Sequence, residues 1–359
     1  MIAADRRRVP PVTLRTRPFV SVVIPCFNYA RYVGDAIASV LGQDGVDVEV
    51  IVVDDASSDA SVDVVRAIAA RDDRVRLVAH PENRGPVDTF NDGLAVVRGD
   101  YVVRLDADDL LTPGSLARAT ALAEAHPTVG LVYGHPLHFV GDDRPKPRTR
   151  ASAWTVWDGR SWLRTRCRTA VNVITSPEVL MRRTITDIVG GQRPLAHTHD
   201  MEMWLRIAAV SDIAYVHGAD QAWHREHAAS LSQSLDPGLG DIADRRDAFR
   251  TLFAWSGPHL PETEELRIVA ERALADEAST RILHLHDRGR SDPALVAALT
   301  EFASSLEVAP SLAVQRALRT ALARGPHGSP WGTFRAARRR LAREVGERRW
   351  HREGVFHRA

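Results

Sequence analysis

"FVSVVIPCFNYARYVGDAIASVLGQDGVDVEVIVVDDASSD", residues 19–59, decides the reading of the fold. The β-rich run FVSVVIP gives way to YVGDAIASVLGQ, whose apolar residues recur at helical spacing, and then to a second β-rich run, VEVIVVD. The same alternation continues through the helical ASVDVVRAIAARD to VRLVAH, and on to YVVRL at 101–105. Strands that alternate with helices predict a largely parallel sheet covered on both faces. In such sheets ligands gather beyond the carboxyl ends of the strands, where loops and helix N-termini converge. The polar residues stand where that rule puts them: IPCFN ends the first run, DDASSD the second, HPENRG the third and DADD the fourth.

After about residue 150 the alternation weakens into WTVWDGRSWLRTRC, a helical HDMEMWLRIAAV, a short strand IAYVHG and then AWHREHAASLSQS. These segments read as the second half of the same domain. Beyond SLDPGLGD apolar residues fall at helical spacing only. The expected organisation is a flexible tail over 1–18, an α/β domain over 19–235 and a helical C-terminal region over 236–359.

With 359 residues and 44% apolar content, the chain can bury a substantial core. Its 47 basic and 46 acidic residues nearly cancel, so no overall field marks a nucleic-acid binder and charge arguments are local. Lys146 is the only lysine. Cys26 and Cys167 stand far apart without a neighbouring thiol, which excludes a CxxC zinc site and argues against a disulfide framework. The stretch MIAADRRRVPPVTLRTRP has arginines with no apolar run behind them, unlike a signal peptide, and no segment reaches the ~20 apolar residues of a membrane span. A reducing, cytoplasmic setting is the expectation.

Asp106, Asp108 and Asp109 crowd together at a strand end against mutual repulsion and desolvation. A solvated turn leading into a helix at Pro113 is one explanation. An EF-hand is not, because Leu110 and Leu111 stand where that loop needs an oxygen ligand and a glycine. The other explanation is a hard divalent ion that shares its coordination with a phosphate and takes only one or two carboxylates from the protein. Asp54 and Asp55 end the second strand before Ser57, Ser58 and Asp59, which suit a turn and a helix cap. An ionised carboxylate there is also a pure acceptor, matched to the ring N–H of uracil or thymine. GxGxxG is absent after the first strand and GxxxxGK[ST] from the whole sequence, so a metal rather than a glycine loop would manage phosphate charge.

Taken in order, VVIPCFN, VDDASSD, NRG, GDYVVRLDADD, HDMEMWLR and HREHAASLS resemble the inverting nucleotide-sugar glycosyltransferases of family 2, over about residues 19–235. The resemblance implies the GT-A fold, an α/β architecture with a Rossmann-like, mostly parallel mixed sheet flanked by helices, here followed by the helical C-terminal region. It implies Pro25 and Phe27 beside the base and ribose, Asp55 accepting the base N–H, and Arg84 near the nucleotide or its phosphates. Asp106 and Asp108 match the family's DxD motif, in which Asp108 ligates Mg²⁺ or Mn²⁺ and Asp106 helps to hold the ribose or a metal-bound water; Asp109 reads as supporting structure. Asp200 matches the catalytic base, and His227 the histidine that approaches the metal or diphosphate. The sequence departs from the family in having His199 before this aspartate, where glutamate is usual, and His224 in place of tyrosine. Glu202 is a weaker candidate base, Trp204 and Leu205 read as core, and His197 with His199 lack a third zinc ligand.

On this reading the protein is a metal-dependent inverting transferase that moves a sugar from a UDP- or TDP-linked donor to a hydroxyl acceptor. The acceptor is a glycan, a lipid-linked saccharide or a small molecule, and the setting is polysaccharide, glycolipid or cell-envelope glycan synthesis. A sugar nucleotidyltransferase is a weaker alternative, since PCFNYARY is a poor glycine-rich basic loop. A catalytically silent nucleotide-sugar-binding or scaffold domain is another, opposed by the intact Asp55, Asp108, Asp200 and His227. In SPWGTFRAARRRLAREVGERRWHREG, Ser329 and Pro330 start a helix that can gather Trp331, Phe334, Leu341 and Val345 on one face and arginines on the remainder. Such a helix suits peripheral contact of residues 329–352 with an anionic membrane, or packs as a solvated helix on its own domain. Sugar and acceptor are not legible in the stretch from about 134 to 198, where Asn172 and Arg182 face either substrate or core.

Overall fold

The computed structural model describes residues 6–227, 238–289 and 292–323, together with 334, 337–338, 340–342, 344–346 and 348. The elements of the sheet region are β1 Arg6–Val9, β2 Phe19–Cys26, α1 Val33–Leu41, β3 Asp47–Asp54, α2 Ser61–Ala69, β4 Val75–Ala79, α3 Gly85–Leu94 and β5 Tyr101–Arg104. They continue with β6 Leu110–Leu111, α4 Ser115–Ala125, β7 Val129–Val140, β8 Ala153–Trp157, α5 Gly159–Thr169, β9 Leu180–Arg182, α6 Arg183–Val189, α7 His199–Val210 and β10 Asp212–Glu226. Helices α8 Gly240–Ser256, α9 Thr263–Asp287, α10 Pro293–Ser304 and α11 Leu312–Ala323 follow. The described residues fall into two compact units, one drawn from within Met1–Trp162, Ile174–Leu195 and His199–Gln233, the other from within Leu163–Val173, Ala196–Thr198 and Ser234–Ala359.

Among the described residues of the first unit, ten strands form one mixed sheet in the order β1-β8-β10-β7-β9-β5-β2-β3-β4, with β6 pairing β10 off this path. β2 runs parallel to β3 and β5, and β3 to β4, as the alternating sequence requires. β7 and β10 form a second parallel pair, and β9 joins the two groups by running antiparallel to both β5 and β7. β1 pairs antiparallel with β8, so the stretch before Phe19 includes an edge strand. Three consecutive arginines gave no strand signal there; their exposed side chains keep the edge charged, which discourages pairing with another chain.

The core explains why the strand ends converge. Val20, Val22, Val23 and Ile24 of β2 and Val50, Ile51, Val52 and Val53 of β3 are inaccessible to water, so both faces of these central strands are covered. Val33, Ala36, Ile37 and Val40 repeat at helical spacing along α1 and are all buried, each large side chain contributing about 1.5–3 kcal/mol by leaving water. On the other face α3 approaches so closely that a Cβ on Gly93 would lie 2.4 Å from Val23 Cγ1 and 3.0 Å from Val53 Cγ2. With β2, β3, β4 and β5 parallel, Cys26, Asp54, Ala79 and Arg104 all end on one edge of the sheet.

The second unit has its own apolar interior, including Phe249, Leu252, Leu274 and Ala278. Arg245 bridges Asp241 at 2.9 Å and Glu277 at 3.2 Å between α8 and α9. The basic segment over 329–352 lies largely outside the described residues; Phe334, Leu341 and Val345 within it are exposed.

Candidate active site

The three carboxylates of DADD have three different partners. Asp109 is fully buried; its Oδ1 accepts the backbone N–H of Arg225 at 2.8 Å and its Oδ2 lies 3.0 Å from His224 Nδ1. Burial by itself would push the His224 imidazole down, but the bond to Asp109 and its charge, with Asp106 and Glu178 nearby, lift it to about 9. The Asp109 carboxylate thus favours the charged form of the imidazole it faces. Asp106 Oδ1 sits 2.9 Å from Arg104 Nη2. Asp108 Oδ2 lies 2.7 Å from His227 Nε2. Burial, with repulsion from Asp109 and Asp106, raises Asp108 to about 6, the bond to His227 acting in the other direction.

β10 makes this possible by running beside β7 and antiparallel to β6, which returns His224, Arg225 and His227 to the end of β5. Tyr29 and Tyr32, just past β2, place their rings 6.2 and 6.0 Å from that of His227, Tyr32 stacking at 25°. The Arg225 guanidinium lies 4.6 Å above Tyr32. Burial and then the charges of Asp108, Asp106 and Asp109 push the Tyr29 phenol up, a sign of how close it stands to the cluster. Neither tyrosine was singled out from the sequence, although YARY follows IPCFN directly at a strand end.

Asp200 stands in the first turn of α7, where an acid complements the helix dipole. Its Oδ2 accepts the Ser176 hydroxyl at 2.9 Å and its Oδ1 the backbone N–H of Met201 at 2.5 Å. Glu202 is inaccessible and holds Arg206 through two 2.7 Å bonds, while Arg206 also donates to the carbonyls of Val189 and Gly191. That closed network leaves Glu202 no face for a substrate. Trp204 and Leu205 are buried, as their apolar character suggested. Arg182 donates to the carbonyls of Val129 and Ala123 and lies over Tyr101, which makes it a brace rather than a substrate contact.

On the side of β2 and β3, Phe27 is 44% exposed directly after β2, and Pro25 sits within β2 opposite Val53. Asp55 differs from the open acceptor expected for a base N–H. It is 3% exposed, its Oδ1 accepts Arg84 N and faces His80 Nδ1, both at 2.8 Å, and its Oδ2 accepts Gly85 N at 2.8 Å. Burial pushes this carboxyl up, and the donors from Arg84, His80 and Gly85 overcome that and hold it below the usual range. Asp55 thus pins the N-terminus of α3. The half-exposed Arg84 side chain pairs with Asp92 and lies 3.9 Å from Asp88.

A carboxylate oxygen and an imidazole nitrogen form a donor set that Mn²⁺ accepts, while Mg²⁺ would rely on the carboxylate oxygen alone. Asp108 and His227 provide this set, and with Asp106 and Asp109 already facing Arg104 and His224, Asp108 keeps the surplus charge that a cation would relieve. Among the described residues no three His, Cys, Asp or Glu side chains are grouped to hold a metal by themselves. Two protein ligands fit a cation that completes its shell with phosphate oxygens and water.

Comparison with known proteins bears on this arrangement. Residues 21–189 match Glycosyl transferase family 2. Over that segment the chain is similar to the family. The chain is 43% identical over 115 residues to the succinoglycan biosynthesis protein ExoO of Rhizobium meliloti, a match covering 32% of each protein. It is 32% identical over 111 residues to chondroitin synthase of Escherichia coli, covering 31% of this chain and 16% of that protein. The matches span about a third or less of these relatives' length. In fold, the chain resembles the crystal structure of S. aureus TarS 1-349 in complex with UDP-GlcNAc, with a TM-score of 0.55 and 18% identity over 78% of this chain and 83% of that one. The fold is GT-A, a mixed sheet with flanking helices.

Proposed function

We propose that the protein transfers a sugar from a UDP- or TDP-linked donor to a hydroxyl acceptor with inversion, through a transferase domain over 19–235, in polysaccharide, glycolipid or cell-envelope glycan synthesis. The observation that carries the reading is that Asp108 Oδ2 and His227 Nε2 stand 2.7 Å apart just past β5, while Asp106 is turned to Arg104 and the fully buried Asp109 to His224. The match of residues 21–189 to Glycosyl transferase family 2 supports a transferase, and the names of ExoO and chondroitin synthase support a polysaccharide setting. The complexes of TarS with UDP-GlcNAc and with UDP support a nucleotide-sugar donor.

Asp108 and His227 would hold Mg²⁺ or Mn²⁺, which when bound offsets the charge that grows on a departing nucleoside diphosphate. Phe27 and Pro25 lie against the base and ribose, and Asp106 offers its Oδ2 to the donor while Oδ1 stays on Arg104. Asp55 serves the nucleotide by fixing Arg84 and the start of α3. Asp200 accepts the acceptor's proton as its oxygen bonds to the anomeric carbon and the bond from that carbon to the diphosphate oxygen breaks. Attack on the face opposite the leaving group inverts the centre. General-base help of this kind is worth ~10²–10⁴-fold, and one carboxylate suffices where a hydrolase uses two.

The helical region over 236–359 would add peripheral contact with an anionic membrane through residues 329–352, keeping the protein in the cytoplasm or at the inner face of the membrane. Exposed Phe334, Leu341 and Val345 support this, and no helix among the described residues is long and apolar enough to cross a membrane.

The test is release of UDP or TDP from a panel of nucleotide sugars with Mn²⁺ and with chelator. Turnover that needs the ion, a product of inverted configuration, and an Asp200→Asn variant that binds UDP but loses ~10²-fold or more of its transfer are the expected results. Near-normal transfer by that variant would overturn the base assignment. Binding of UDP with no turnover of any donor would favour a silent nucleotide-sugar-binding domain.

A further inference from the structure

Arg104 is a charged residue at the end of the otherwise apolar, buried strand β5, and its side chain is 9% exposed. Its two terminal nitrogens point in two directions: Nη2 lies 2.9 Å from Asp106 Oδ1 and Nη1 lies 3.0 Å from Nε2 of the buried His199. We infer that Arg104 is a positioning residue that ties the donor-side carboxylate Asp106 to the helix carrying the Asp200 base, with His199 as the acceptor through which it does so. The inference rests on the transfer reaction proposed above.

A guanidinium has only donors, so the bond to His199 requires a lone pair on Nε2 and places the ring proton on Nδ1. Burial, and then the charge of Arg104, hold His199 below the usual imidazole range, which keeps the ring neutral and able to accept. The planar fork of the guanidinium fixes both bonds in one rigid geometry, which the freely rotating ammonium of a lysine would not. The ring of Phe90, 5.9 Å from the guanidinium carbon, closes another side. His199 immediately precedes Asp200 in the first turn of α7, so the place of its ring sets where the base begins. Ser176 and Met201 then orient the carboxylate itself. Asp106, held by one oxygen, is fixed from the same guanidinium. Donor and acceptor sides of the reaction are thereby referred to one rigid group, and a misplacement of about 1 Å in such a site costs on the order of 10²-fold in rate.

Replacing Arg104 itself leaves the buried His199 and the partly exposed Asp106 unmatched and empties a buried site, which threatens folding, so the histidine carries the test. His199→Leu removes the acceptor; His199→Gln retains a carbonyl in reach. Rates are measured with UDP-GlcNAc or TDP-glucose, whichever the unsubstituted protein turns over, alongside UDP–Mn²⁺ affinity and nitrogen-15 NMR of the metal-free protein. The expected pattern is a kcat lowered by about tenfold or more in His199→Leu, with UDP–Mn²⁺ affinity within about twofold, recovery of most of that kcat in His199→Gln, and an Nδ1–H tautomer at His199. Equal kcat in all three proteins, a loss that glutamine does not restore, or a proton on Nε2 overturns the inference while transfer itself stands. Absence of turnover in the unsubstituted protein overturns the transfer reading and this inference with it.

Discussion

His227 Nε2 lies 2.7 Å from Asp108 Oδ2, while the neighbouring Asp106 and Asp109 face cations of the protein's own, Arg104 and His224. The built-in cations hold two of the carboxylates in place for structure and orientation. The third faces an imidazole that can turn its lone pair to a metal. A chain that gathers so much negative charge at the end of a strand has thus assigned each charge a separate task.

Asp109→Asn should cost stability and leave metal binding nearly intact. The substitution removes the charge that favours protonated His224, so the buried imidazole gives up its proton and the ion pair is lost, at about 1–3 kcal/mol by denaturant titration. Mn²⁺ affinity in the presence of UDP should stay within about twofold. A large loss of affinity with unchanged stability would exchange the roles given to Asp108 and Asp109.

Gly93→Ala should destabilise the protein even though alanine is the better helix former by about 1 kcal/mol. The added carbon would meet Val23 and Val53 at distances that no rotamer change of its own can relieve. Overpacking of this kind costs about 1–3 kcal/mol, read as a lower denaturant midpoint with unchanged slope. Equal or greater stability would mean that α3 does not sit against β2 and β3 as described.

Acid should weaken the fold partly through Asp220. Burial by itself would push this carboxyl up, but bonds from His135 and Arg148 hold it down at about 2, against an ordinary 3.8. A carboxylate depressed in the fold stabilises it above its unfolded value, and that contribution, about 2 kcal/mol, is lost as pH falls from about 4 through about 2. Asp220→Asn should lower stability at neutral pH and flatten the pH dependence across that window. An unchanged slope in the variant would remove Asp220 from the account.

The legibility of the fold followed burial. β2, β3 and β5 were readable because strands covered on both faces need apolar runs, and the helices between them need an apolar stripe. β1 was not, since an edge strand can be built from exposed arginines. IAYVHG and AWHREH read as separate pieces, yet they form the single strand β10, which passes an irregularity between Tyr215 and Asp220 where Gly218 adopts φ +81°. In the site, DADD stood out because its charge follows an apolar run. The partners that divide its labour did not, because Arg104–His199 and Asp109–His224 are contacts between residues 95 and 115 positions apart. Asp55 was readable as important and not as buried, since its partners come from the end of β4 and the start of α3, 25 to 30 positions away.

The most direct measurement is Mn²⁺ binding, followed by electron paramagnetic resonance in the presence of UDP, for the unsubstituted protein, Asp108→Asn and His227→Ala. The account predicts bound Mn²⁺ in the first, a loss of about tenfold or more in affinity on replacing Asp108, and a clear weakening on replacing His227. Mn²⁺–UDP bound with equal affinity by all three would contradict it.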